Sequence, residues 1–105
     1  MLLVKGDETM FDLNICKETN DFLKEIRKEL KNKGYNMSMS RTNRYIGTMH
    51  LNYVNEYYTR PKTNIMFEIE KDLENNTMSA MLHFKDKNGK NDFKRIRLAD
   101  IIDLA

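Results

Sequence analysis

Apolar and polar positions divide the chain into two regimes that meet at Gly34. Over residues 15–33 the apolar positions Ile15, Phe22, Leu23, Ile26 and Leu30 recur at spacings of three, four and seven, the stripe of an amphipathic helix. Lys31 and Lys33 suit the negative C-terminal end of that helix, and Gly34 supplies a left-handed stop. Asn14 and Thr19 both qualify as its N-terminal cap. Beyond Gly34 the period becomes two. Tyr35, Met37 and Met39 alternate with Asn36, Ser38 and Ser40, and residues 41–44 read as a turn.

Two readings compete for residues 45–54. Alternation puts Tyr45, Gly47, Met49, Leu51 and Tyr53 on one strand face, whereas a helix would align Tyr45, Met49, Tyr53 and Tyr57. Gly47, Thr48, Asn52 and Asn55 are poor helix formers, which favours the strand. Pro61 predicts a loop over residues 56–62. Ile65, Phe67 and Ile69 then alternate with polar residues, as do Met78, Ala80, Leu82 and Phe84 after a turn at residues 74–76. Asn88-Gly89 predicts a type I′ hairpin turn, with a returning strand over residues 92–98. Leu98, Ile101, Ile102 and Leu104 suggest a short closing helix or a last extended piece.

The predicted architecture is α+β. One helix in the N-terminal half packs on an antiparallel β-meander of three to five strands, with residues 1–13 a strand or arm. Phe22, Ile26, Leu30, Phe67, Ile69, Leu82 and Phe84 are the expected core. At 105 residues the chain has the length of one domain spanning residues 1–105. A chain this short buries only roughly 65% of its unfolded surface, so a homodimer would add stability.

Composition narrows the setting. Apolar residues make up 40% and charged residues 32%, well mixed in sign, which argues against disorder. No apolar run reaches membrane-spanning length, and Met1-Leu2-Leu3-Val4 is too short for a signal core. Cys16 has no second cysteine with which to form an internal disulfide. A soluble, cytoplasmic protein is expected. Most of the eight methionines fall at apolar-pattern positions and read as core filler.

Candidate chemistry is sparse. His50 and His83 fall opposite the expected apolar face, and neither they nor Cys16 has a ligand at metal-binding spacing. No phosphate-binding glycine loop occurs, so neither metal nor cofactor is expected. Glu68, Glu70, Asp72 and Glu74 share one strand face, which reads as a solvated sheet surface before it reads as a cation site.

One segregation stands out. Residues 31–62 carry Lys31, Lys33, Arg41, Arg44, Arg60 and Lys62 against Glu56 alone, a net charge of +5 within a chain of +2. All five tyrosines fall in the same third. Tyrosine beside arginine suits recognition surfaces and also stacks nucleic-acid bases. The candidate binding surface is therefore Arg41, Arg44, Tyr45, Tyr53, Tyr57, Tyr58 and Arg60, against the plainer reading that the tyrosines build the core.

The leading expectation is a non-enzymatic binding protein that occupies a partner's surface, the partner being a host or foreign protein such as a nucleic-acid-processing enzyme. A small domain rich in Asn, Lys and Ile, with a Tyr/Arg segment, is similar in kind to phage and mobile-element inhibitors, anti-CRISPR proteins included; the similarity is of type, not of motif. The alternative is single-stranded nucleic-acid binding through the same segment, although a pI near 8.6 is modest for that role. A metal-independent ribonuclease built on Arg44, His50 and a tyrosine ranks third.

Overall fold

A computed structural model describes residues 12–105 of the chain. All but the last positions of the strand or arm expected over residues 1–13 lie outside the described residues. The elements in order are β1 (Asp12–Asn14), α1 (Lys17–Asn32), β2 (Asn36–Ile46), β3 (Met49–Thr59), β4 (Met66–Asp72), β5 (Thr77–Lys85), β6 (Asn91–Ile96) and α2 (Asp100–Leu104). Strands β2 to β6 form an antiparallel meander, and the closing segment is helical. The far side of β5 is shared, with β1 beside Thr77–Ser79 and β6 beside Ala80–Lys85. The opposite edge of the six-stranded sheet is β2.

Helix α1 starts later than its apolar stripe suggests. Its N-cap is Cys16, neither Asn14 nor Thr19, and Thr19 instead donates its hydroxyl to the Asn14 carbonyl. The helix stops as the sequence predicts. Gly34 takes φ +90°, the Tyr35 N–H bonds back to the Leu30 carbonyl and the Gly34 N–H to that of Lys31, the paired bonds of a Schellman motif. The buried stripe is Leu23, Ile26 and Leu30. Phe22, expected in the core, is 36% exposed. At 100° per residue it lies roughly 70° round from the stripe's centre, at its edge.

Strand register assigns the faces, because directly paired residues share a side. Glu56 pairs with Ile69, Tyr58 with Phe67, Ile69 with Ala80, Phe67 with Leu82 and Ala80 with Ile96. These residues lie under α1 and α2 and join Leu23, Ile26, Leu30, Tyr35, Met78, Leu98 and Ile101 in a single core. Phe84 is only half-buried, at the margin.

A fully buried carboxylate interrupts this apolar layer. Glu56 accepts both prongs of the Arg27 guanidinium from α1, the Lys71 ammonium at 2.7 Å from β4, and the Tyr58 hydroxyl. Burial alone would raise the Glu56 pKa, but its donors Arg27, Lys71 and Tyr58 outweigh that and hold it at about 2. Burial and the neighbouring Glu56 push the Tyr58 phenol well above its usual range. The cluster ties the helix to strands β3 and β4.

Three sequence expectations change at the turns. Residues 41–44 belong to β2, and the chain reverses instead at Gly47-Thr48. Gly47 has φ +62° while Thr48 keeps a negative φ, the signature of a type II′ turn. The loop expected over residues 56–62 is displaced, because β3 continues to Thr59 and residues 60–65 then connect it to β4 at Met66. Asn88-Gly89 does mark a hairpin, but not a type I′ turn. The Gly89 N–H bonds to the Asp86 carbonyl, Gly89 alone has positive φ, and the Asp86 N–H bonds to the Lys90 carbonyl. This is a type I turn followed by a left-handed glycine, fixed by the Asp86 carboxylate, which accepts from the Asn88 and Lys90 N–H groups.

Candidate interaction surface

The seven residues singled out from sequence do not form one surface. Tyr58 leaves the set outright: it is 2% exposed, sits opposite Phe67 on the helix side of β3, and donates to Glu56. Arg60 serves the fold. Its guanidinium lies 5.0 Å from the centre of the Tyr35 ring, and it donates to the Lys33 carbonyl at the C-terminus of α1. The five that remain divide between the two faces of the β2–β3 hairpin. Arg44, Tyr53 and Tyr57 lie on the face that α1 does not cover, and Arg41 and Tyr45 on the other. The hairpin turn at Gly47-Thr48 puts Tyr45 opposite His50, so it does not share a face with Met49, Leu51 and Tyr53 as a continuous strand would require.

The hairpin outruns the rest of the sheet. Strand β3 pairs with β2 along Met49–Thr59 but with β4 only from Tyr53 onward. The rungs Tyr45–His50 and Ile46–Met49 therefore project past the neighbouring strand. Tyr45 (70% exposed), Ile46 (55%) and Met49 (60%) crown this projection. Its base is ordered by polar contacts. The Tyr45 ring stacks on His50 with centroids 4.5 Å apart, while His50 meets Asn43 Oδ1 through Nε2 at 2.7 Å and Glu74 Oε2 through Nδ1 at 3.0 Å. Arg44 and His50 project to opposite faces, so the ribonuclease constellation is not assembled in this arrangement.

The open face of the sheet carries a second polar cluster. Asn55 donates to Glu68 at 2.6 Å and to Glu70 at 3.2 Å, and His83 Nε2 lies 2.7 Å from the other Glu68 oxygen. Glu68 and Asn55 are buried although neither faces α1 or α2. Glu68, Glu70 and Asp72 run along β4 immediately beside Tyr53 and Tyr57. A phosphate backbone stacked on those tyrosines would meet three carboxylates, which is unfavourable.

Cys16 and the two histidines lie on separate elements, and among the described residues no group of three His, Cys, Asp or Glu side chains converges as a metal site. Among the same residues no helix is long and apolar enough to cross a membrane. The exposure of Met37 and Met39 on β2 was missed by reading methionine as core filler. The available signal was the polar run around them, Asn36, Ser38, Ser40 and Arg41. The chain matches no protein-family model, and neither a curated protein nor a solved structure matches it.

Proposed function

We propose that this chain is a small binding protein that occupies a partner protein's surface through the β2–β3 hairpin, with inhibition of that partner as the expected consequence. One observation carries the reading. Among the described residues nine large apolar side chains are exposed, and five of them, Met37, Met39, Tyr45, Ile46 and Met49, belong to this one hairpin. Tyr45, Ile46 and Met49 crown its projecting tip, with Met37 and Met39 farther along β2. Exposed apolar groups gathered on one projecting tip mark an interaction site where singly scattered ones do not. The basic side chains Arg41 and Arg44 between them supply the planar cations that protein interfaces favour.

Single-stranded nucleic acid is the second reading, favoured by Tyr53, Tyr57 and Arg44 sharing one face and opposed by the carboxylates beside them. Co-purification separates the two. Tagged wild type and a Tyr45→Ser/Ile46→Ser/Met49→Ser variant are recovered from lysate, and the ultraviolet absorbance ratio is recorded. The proposal expects one stoichiometric protein with wild type and its loss from the variant. Nucleic acid recovered with both would overturn it.

A further inference from the structure

We propose that the outer edge of β2 accepts an extended, acidic segment of the partner as an added antiparallel or parallel strand. This rests on the binding role assigned to the hairpin and adds how the partner is held. Among the described residues nothing pairs with this edge, which runs for an unusual length. Strand β2 runs for 11 residues, pairs with β3 without a break in register, and ten of its positions are exposed. Proteins commonly blunt such edges with proline, a bulge or a short strand. Strand β2, with sequence NMSMSRTNRYI, has no proline and no bulge.

The hairpin geometry says which backbone groups are available. A two-residue turn closes on a hydrogen-bonded pair, here Ile46 and Met49, and such pairs recur at every second residue. The even-numbered residues of β2 thus direct their N–H and C=O groups to β3. Met37, Met39, Arg41, Asn43 and Tyr45 direct theirs outward. Their side chains share the helix side of the sheet, so an incoming strand would run beside two exposed methionines and Arg41.

Charge selects the occupant. Strand β2 has two arginines and no carboxylate. At its N-terminal end a depression of about 340 Å³ is lined by Arg27, Lys31, Tyr35, Asn36, Met37 and Tyr58. Tyr35, in that lining, carries a buried hydroxyl without a hydrogen-bond partner among the described residues. Arg27 is already matched by Glu56, which leaves Lys31, Arg41 and Arg44 to set the sign of this edge. A second copy pairing edge to edge would gather two such sets on one seam with no opposing acid, an unfavourable arrangement. Alternating acidic and apolar residues would satisfy both the cations and the methionines.

Amide hydrogen exchange of the isotopically labelled chain, followed by NMR, tests this directly. The probes are a short synthetic peptide alternating glutamate with valine and threonine, its lysine counterpart, and the glutamate peptide N-methylated at alternate residues. The amides of Met37, Met39, Arg41, Asn43 and Tyr45 should exchange faster than those of Ser38, Ser40, Thr42 and Arg44 in the free chain. The glutamate peptide at millimolar concentration should slow the first set by roughly tenfold or more, and the other two probes should not. Arg41→Glu/Arg44→Glu, both at exposed positions, should transfer the protection to the lysine peptide. Equal protection by both charged peptides, or none by the glutamate peptide, overturns the proposal. So does protection that grows with protein concentration alone, which would make the occupant a second copy. A partner that still depends on Tyr45, Ile46 and Met49 while these five amides stay unprotected would leave the binding role standing and remove the edge pairing.

Discussion

Replacing Glu56 with glutamine keeps its shape and most of its hydrogen-bonding capacity but removes the charge that Arg27 and Lys71 share. Both cations are partly buried, with side-chain exposures of 36% and 17%. Leaving a buried charge without its counter-ion typically costs about 3–5 kcal/mol. Titration gives a second route to the magnitude. The carboxyl is held at about 2 in the folded chain against an ordinary value of 4.5. At 1.36 kcal/mol per unit, that difference corresponds to about 3 kcal/mol. Because the folded pKa is depressed, this contribution is fully present above pH 4.5 and is lost as pH falls toward about 2. A domain of this size has about 5–15 kcal/mol in total, so the loss should be conspicuous. Urea unfolding followed by circular dichroism, repeated from neutral pH downward, measures it. Wild type should exceed Glu56→Gln by about 3 kcal/mol at neutral pH, and the gap should close with acidification. A gap below about 1 kcal/mol at neutral pH, or one that ignores pH, would refute the assigned role of the cluster.

Further substitutions probe the packing and the turns. Phe67→Ala should cost about 3–5 kcal/mol in urea unfolding, since the ring is fully buried between Tyr35 and Leu82. Leu23→Ala should cost about 2–5 kcal/mol while Phe22→Ser costs less than about 1, and a reversed order would mean that α1 presents a different face. Gly34→Ala should destabilise by about 1–2 kcal/mol through its left-handed backbone, because a β-carbon there would meet nothing closer than Arg60 Cδ at 3.8 Å. Equal stability of that variant would show that the helix end relaxes.

Local patterns in the sequence reported what they physically control. The spacing of Leu23, Ile26 and Leu30 and the glycine at position 34 fix the helix and its stop, because both depend on neighbours a few residues away. The alternation of Phe67 and Ile69, and of Met78, Ala80 and Leu82, likewise identifies the inner face of β4 and β5. What was not legible depended on where the chain reverses. Gly47-Thr48 lacks the asparagine that makes a turn obvious, so the reversal read as a turn at residues 41–44 between two shorter strands. That one displacement moves Tyr45 to the opposite face and carries the Tyr58 strand on to Thr59. The buried Glu56 was invisible for a similar reason. Its partners Arg27 and Lys71 lie on other elements, and only tertiary packing brings the three charges together. The tyrosine and arginine segregation was real in sequence, but it combined core, capping and surface roles in one segment.

The most direct test of the binding role is site-specific photo-crosslinking. A photoreactive phenylalanine analogue replaces Tyr45 at the hairpin tip, or Lys87 in the β5–β6 loop. Both positions are exposed, so neither replacement should disturb the fold. Position 45 should yield one discrete protein adduct that excess unlabelled wild type competes away, and position 87 should yield none. Adducts at position 87 alone, or a nucleic-acid adduct at position 45, would contradict the account.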